Sequence, residues 1–180
     1  MLKNFSKKDF TATNILIIIT ILMYIIQINI SNGGVLFGLN LYFLVYSFWW
    51  QPLTSIFAHG GIAHLGMNMF VLWQFGNLIE RFIGAKKFVA LYLITGLLTS
   101  ILSFAYIYYL DHNVNLVGAS GAICALLGFV AYYDKAQRNG IITWILLISV
   151  APLIIGLPIA WYAHFIGLAV GFLYAIITKR

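Results

Sequence analysis

The amino-acid sequence predicts an all-α membrane protein in which six transmembrane helices form one bundle. Hydrophobic residues make up 63% of the 180-residue chain and charged residues only 8%, whereas soluble domains carry about 25% charged residues. Several long apolar segments approach the roughly 20 residues that a helix needs to cross a bilayer. All ten basic residues fall on one side of the resulting bundle.

The predicted helices cover residues 13–31, 61–80, 87–108, 117–133, 141–157 and 160–178. The first apolar run is longer than a signal-peptide core of roughly 7–15 residues, so we expect it to be retained as a helix. Chain length predicts a single domain over residues 1–180. The only cysteine, Cys124, leaves no partner for a disulfide within the chain.

The segment between the first two helices, roughly 32–60, is too apolar for a free loop and too short to span. It carries the aromatic run from Leu41 to Trp50. Tyr and Trp favour the headgroup level, so this first loop is predicted to lie in the interface or outer leaflet, with Trp49 and Trp50 as anchors.

Basic residues set the predicted topology. Cytoplasmic loops carry an excess of Lys and Arg, so the side that carries them is predicted to be cytoplasmic, with both termini. The first loop, the loop at Asp111 and His112, and the turn at Pro158 then face outward. The net charge of +6 does not indicate nucleic-acid binding, because the charges separate apolar segments and do not form one patch. The basic residues are Lys3, Lys7, Lys8, Arg81, Lys86, Lys87, Lys135, Arg138, Lys179 and Arg180.

Polar side chains in three predicted helices share one depth. Ser120, His164, His64 and Asn68 all lie one to two turns from the outer end of a helix. Polar groups inside a membrane are costly and are functional candidates by default. Their shared depth predicts a common site that opens to the outer side.

Small residues predict that these helices pack closely. The helix that carries His164 has a four-residue repeat, and the helix that carries Ser120 has a second narrow stripe. Packing these stripes together would bring Ser120 and His164 within reach of each other. The stripes are Ala163, Gly167, Gly171 and Ala175, and Gly121, Ala125 and Gly128. The row predicted to face the bundle from the second helix is His64, Asn68, Leu72, Gly76, Glu80 and Gly84.

The chemistry predicted for this site is that of a serine hydrolase. Ser120 is the candidate nucleophile and His164 the candidate base, because a serine hydroxyl needs a base to take its proton. No carboxylate lies at this depth, which predicts a Ser–His dyad without a third acidic member. The candidate oxyanion donors are the Ser120 backbone N–H, the Asn68 amide and the His64 ring. No metal and no cofactor is expected, because His164 has only His64 and His59 near it as ligands.

Four motifs together resemble the rhomboid family of intramembrane serine proteases, and the similarity covers nearly the whole chain. The first is the family's Gly-x-Ser-Gly, here Gly118, Ala119, Ser120 and Gly121. The histidine helix follows it with Ala163, His164, Gly167 and Gly171. The second helix carries the other two motifs, His64 with Asn68, and Gly76, Glu80 and Gly84.

The resemblance implies cleavage of single-pass membrane proteins near the outer face through a covalent acyl-enzyme. It implies Ser120 as nucleophile, His164 as base, and oxyanion roles for His64 and Asn68. It suggests a bacterial plasma membrane, with transmembrane-helix proteins as substrates that enter from the bilayer. The fifth helix is the candidate gate, on the argument that it is weakly tied and carries no site residue. The sequence gives no oligomeric state.

Two positions depart from the family pattern. Gln51 follows Trp50 where members often have Trp-Arg, and it is expected to serve loop structure. Cys124 stands where well-studied members place an aromatic ring against the histidine, which leaves Trp161 or Tyr162 as candidate supports for His164.

The remaining polar residues have structural interpretations. His59 is expected to bond backbone in the first loop, and Cys124 to serve packing. Glu80 with Arg81 is expected to form a structural contact near the cytoplasmic end.

Two other functions compete with the protease. A catalytically inactive rhomboid-like protein would bind membrane clients, but loss of Ser120 or His164 would be its signature, and both are present. A small transporter would have charged residues near the midplane and inverted repeats, and the sequence has neither.

Overall fold

The computed structural model describes residues 11–110, 114–154, 156 and 159–179. Within them the chain is all-α, and the only bridge joins Leu39 to Leu116. The helices are α1 (Ala12–Asn29), α2 (Gly33–Phe37), α3 (Tyr42–Val45), α4 (Gln51–Thr54), α5 (Ile62–Val71), α6 (Asn77–Ile83), α7 (Ala85–Tyr109), α8 (Ser120–Tyr133), α9 (Lys135–Ile154) and α10 (Trp161–Thr178).

Six helical rods make up the bundle in the described part of the chain. The helices α1, α7, α9 and α10 are each at least 18 residues long and apolar enough to cross a membrane. A rod of the same length forms where a π-helical turn, Leu72–Gly76, joins α5 to α6. The sixth rod, α8, is apolar but only 14 residues long. The predicted all-α integral membrane protein is therefore confirmed.

The predicted helix ends differ from the observed ones where local caps act. The fifth helix begins at Lys135 and not at 141, because Asp134 accepts the N–H groups of Ala136 and Gln137 at 3.0 and 3.1 Å and caps a polar first turn. The fourth begins at Ser120 and not at 117, because Gly118 has a φ of 125°. That angle lies outside the helical region.

The first loop folds as the three short helices α2, α3 and α4. Gln51 is fully buried among them. Its side chain accepts a hydrogen bond from the Asn40 N–H at 3.3 Å and donates one to the Val35 carbonyl at 3.0 Å. This residue therefore has the predicted role in loop structure. Trp49 and Trp50 remain exposed, as interfacial anchors would.

Glu80 ties the second rod to the first. One carboxylate oxygen accepts the Ala12 N–H at 2.9 Å, and the other accepts the Thr13 N–H and the Thr13 hydroxyl at 2.8 Å each. These N–H groups belong to the first turn of α1, which has no intrahelical partner for them. Glu80 therefore has a structural contact, as predicted, but the predicted partner Arg81 is wrong, because the described bonds of the Glu80 carboxylate go to α1.

The basic residues that the structure describes lie at one end of the bundle. Lys87 at the start of α7 and Lys179 just after α10 line one cavity of about 590 Å³ with Ile83 and Tyr133. The ends of four rods therefore meet there. Lys3, Lys7, Lys8 and Arg180, together with the Asp111–His112 loop and the Pro158 turn, lie outside the described residues.

The helices α8 and α10 run in the same direction with their backbones in contact. A methyl group on Gly167 would meet the Gly121 carbonyl oxygen, and one on Gly171 would meet the Ala125 carbonyl oxygen. The contact is reciprocal, because a methyl group on Gly128 would meet a carbonyl oxygen of α10. The predicted packing of the two small-residue stripes is present in the structure.

Gly171→Ala is expected to lower the free energy of unfolding by about 1–3 kcal/mol, because the added methyl group forces the α8 and α10 backbones apart. Gly140→Ala, in α9, is the matched control, since a methyl group there meets no described atom within 4 Å. Thermal unfolding in detergent measures both. Equal stability of the two variants would contradict the close packing of α8 and α10.

Glu80→Ala is expected to lower the free energy of unfolding by about 1–3 kcal/mol, because it leaves three donors of α1 without their acceptor. Arg81→Ala is the control and should stay within about 0.5 kcal/mol of the wild type. Thermal unfolding measures both. A larger loss for Arg81→Ala would mean that the neighbouring pair, and not the cap on α1, holds this end together.

Candidate active site

Ser120 is the first residue of α8, a helix that is too short to cross a membrane by itself. Fourteen residues at about 1.5 Å each give a helix of about 21 Å, shorter than the hydrocarbon core of about 30 Å. The residues just before Ser120 are not helical, so their backbone groups need partners outside α8. Such backbone is tolerated only where its polar groups are satisfied by protein or face water.

The first loop supplies those partners. Leu116 exchanges two backbone hydrogen bonds with Leu39, of 2.8 and 2.9 Å. The Gly118 N–H donates to the Ser55 carbonyl at 2.9 Å, and the Ala119 N–H donates to the His59 ring at 3.4 Å. These bonds fix the backbone immediately before Ser120.

His59 has the loop-backbone role that the sequence predicts. Its own N–H and carbonyl bond to the Gln27 side chain of α1 at 2.9 and 2.7 Å. Burial lowers the pKa of His59 to about 4, so the ring is neutral near pH 7. A neutral ring with its proton on Nδ1 donates to the Phe57 carbonyl at 3.1 Å and accepts from Ala119 on Nε2.

The structure brings Ser120 and His164 together, as the sequence predicts. His164 is the fourth residue of α10 and is buried. Its Nε2 lies 3.0 Å from the Ser120 Oγ, within hydrogen-bond distance. This distance follows from the contact between Gly121 and Gly167, each of which lies within three residues of one member of the pair.

The second polar partner of His164 was not predicted. The Ser149 Oγ of α9 lies 2.9 Å from the His164 Nδ1, and Ser149 is fully buried. The expectation that this helix carries no residue of the site is therefore wrong. The rings of Trp161 and Tyr162, the candidate supports of His164, pack against Tyr106.

The sequence carries one signal that points to Ser149. The buried residues of α9 are spaced four apart and define a single line along an otherwise exposed helix. A polar residue at the end of an inward-facing apolar line is a candidate for contact with the bundle. The line consists of Ile141, Ile145 and Ser149.

Asn68 and His64 lie next to Gly118. A methyl group on Gly118 would lie 2.9 Å from the His64 Nε2 and 3.6 Å from the Asn68 Nδ2. The Asn68 Nδ2 is buried and has no hydrogen-bond partner among the described residues. Two of the predicted oxyanion donors, His64 and Asn68, thus lie next to Gly118, which is two positions before Ser120.

Cys124 is buried one turn below Ser120. Its Cβ lies 3.2 Å from the position that a methyl group on Gly167 would take, so this side chain fills the α8–α10 contact. Packing is the role predicted for it. A small cavity of about 10 Å³ adjoins Ser120, and Ser55, Thr99 and Ser100 contribute to its lining. Its volume matches about one water molecule.

The fold and site define an integral membrane protein of six helical rods, in which the half-buried Ser120 lies beside the buried His164. The Rhomboid domain model matches residues 46–180. The chain therefore belongs to the rhomboid family.

Named relatives include a protease. Rhomboid protease GluP of Bacillus subtilis (strain 168) is 41% identical over 91 residues, which are 51% of this chain and 17% of that protein. RHOMBOID-like protein 4 of Arabidopsis thaliana is 35% identical over 138 residues, 71% of this chain and 34% of that protein. The human mitochondrial presenilin-associated rhomboid-like protein is 35% identical over 90 residues, 50% of this chain and 24% of that protein. The chain thus spans less than half of each of these relatives.

Proposed function

We propose that this protein is an intramembrane serine endopeptidase that cleaves single-pass membrane proteins within or near their transmembrane segments. The observation that carries the proposal is the 3.0 Å contact between the His164 Nε2 and the Ser120 Oγ. Membership of a family that includes the protease GluP supports it. Residues 1–180 would form a single domain of this kind.

In this mechanism the His164 Nε2 takes the proton of Ser120 as its Oγ attacks the scissile carbonyl carbon. The resulting tetrahedral intermediate collapses as the same proton passes to the leaving nitrogen, which releases the amine fragment and leaves an ester on Ser120. A water molecule, deprotonated by His164, then attacks the ester. A second collapse releases the acid fragment and restores the proton to Ser120.

The oxyanion of each intermediate would be held by the Asn68 amide, the His64 ring and the Ser120 N–H. The Asn68 Nδ2 has no partner among the described residues, so it is available to a ligand oxygen. The Ser120 N–H belongs to the first turn of α8, where N–H groups lack intrahelical acceptors. The rods that carry Ser120, His64 and His164 all begin on this side, so their positive dipole ends favour an anion here.

The proposed substrates are transmembrane helices of other proteins, which reach the site from the lipid bilayer. The basic end of the bundle would face the cytoplasm and the site would open to the outer side, in a bacterial plasma membrane. We propose α9 as the gate for substrate entry, because only three of its residues are buried. No nucleic-acid partner is proposed.

Ser120→Ala and His164→Ala are each expected to abolish cleavage of a model single-pass substrate by the purified protein in detergent, because each removes a group that the mechanism requires. Ser103→Ala is the matched control, since Ser103 is a buried serine whose hydroxyl has no partner among the described residues. Cleavage by Ser120→Ala would mean another nucleophile. If the wild type cleaves none of several substrates, the non-catalytic client-binding function replaces the protease.

Asn68→Ala is expected to lower kcat by about 10²–10³ with little change in thermal stability. The loss follows from removal of an oxyanion donor, and stability is spared because the Nδ2 has no described partner to lose. Asn29→Ala is the control, because that side chain is exposed and bonds only within α1, to the Ile25 carbonyl. A large loss of stability with kcat retained would assign Asn68 to helix packing.

A further inference from the structure

Ser149 is the single polar member of the line that buries α9. Ile141 and Ile145 precede it at four-residue intervals, and the rest of the helix is mostly exposed. Ser149 has no exposed surface, and its hydroxyl lies 2.9 Å from the His164 Nδ1. The hydrogen bond crosses between two helices and connects the site to α9.

The proton on the His164 ring has to be on one particular nitrogen for the proposed chemistry. Nε2 faces the Ser120 Oγ and must be unprotonated to accept its proton. The neutral ring then carries its proton on Nδ1, and a buried N–H needs an acceptor. In the described part of the chain, the hydrogen-bond partner of the His164 Nδ1 is the Ser149 hydroxyl.

Other supports for the ring are occupied elsewhere. The acidic residues that the structure describes bond at other places, Glu80 to α1 and Asp134 to the start of α9. Cys124, and not an aromatic residue, stands at the position of the family's supporting aromatic. The hydroxyl of Ser149 is thus the polar group that orients the ring.

We propose that Ser149 is a positioning residue that accepts the Nδ1–H of His164, selects the tautomer with a free Nε2, and holds the ring toward Ser120. The proposal rests on the function proposed above and deepens it. When the ring takes the proton of Ser120, the same Nδ1–H bond stabilises the imidazolium, because hydrogen bonds from charged donors are stronger than neutral ones. Ser149 itself exchanges no proton with the substrate.

Ser149→Ala is expected to lower kcat by about tenfold or more and leave KM within about twofold, since a hydrogen bond from a charged donor is worth roughly a factor of ten to a hundred. Ser149→Thr keeps the hydroxyl and should recover most of the rate. Ser103→Ala, which deletes a buried hydroxyl without a described partner, should match the wild type. Wild-type kcat in Ser149→Ala, or equal loss in the folded Ala and Thr variants, would overturn the proposal.

A second measurement does not depend on turnover. The side-chain ¹⁵N shifts of histidine report which ring nitrogen carries the proton, and the spectrum of His164→Gln assigns the His164 signals. We expect the Nδ1–H form in the wild type and a shift toward the Nε2–H form in Ser149→Ala. An Nε2–H ring in the wild type, or no change on substitution, would refute the positioning role.

Labelling with a fluorophosphonate, which reacts with an activated serine, tests the proposed protease separately from the proposed role of Ser149. Labelling of the wild type but not of Ser120→Ala supports the nucleophile. If the wild type is neither labelled nor active, the protease fails as a function, and the ¹⁵N measurement still decides whether Ser149 sets the tautomer of His164.

Discussion

Direct backbone contact between α8 and α10 determines the geometry of the candidate site. Gly167 and Gly171 lie against carbonyl oxygens of α8, so no side chain keeps the two helices apart. Ser120 and His164 lie at the same level of these helices, and their 3.0 Å separation follows from this approach. Dispersion between closely packed backbones is a main source of helix association in lipid, where the hydrophobic effect between helices is absent. Fold stability and site geometry therefore depend on the same glycines.

The first loop provides hydrogen-bond partners for the irregular backbone that precedes the candidate nucleophile. Residues 116–119, just before the short helix α8, are not helical, so their N–H and carbonyl groups need partners outside a helix. Leu39, Ser55 and His59 supply them. The loop is in turn held by buried Gln51 and by the bonds of Gln27 to His59. A segment that does not cross the membrane thus fixes the position of the candidate nucleophile.

The features that could be predicted from the sequence are those that leave a pattern in the order of apolar, small and polar residues. The rods, the Ser120–His164 pairing and the loop role of Gln51 all follow from apolar length, four-residue spacing of small residues or departure from a motif. Ser149 was missed because its place on the four-residue line of α9 was not used as a signal, and the bonds of Glu80 to the first turn of α1 leave no pattern in the sequence. The start of α9 was misplaced because its first turn is polar and is stabilised by Asp134, not by burial.

The order of the helices along the chain has a consequence for biosynthesis. Ser120 lies in α8, whereas His164 lies in α10, the last helix that the structure describes. Translation proceeds from the N-terminus, so the serine is made before the histidine. On the proposed chemistry, the nascent chain holds an inert hydroxyl while its own unpacked helices are most vulnerable to cleavage. On the same chemistry, activity begins only when α10 packs against α8, which ties the onset of proteolysis to the contact between these two helices.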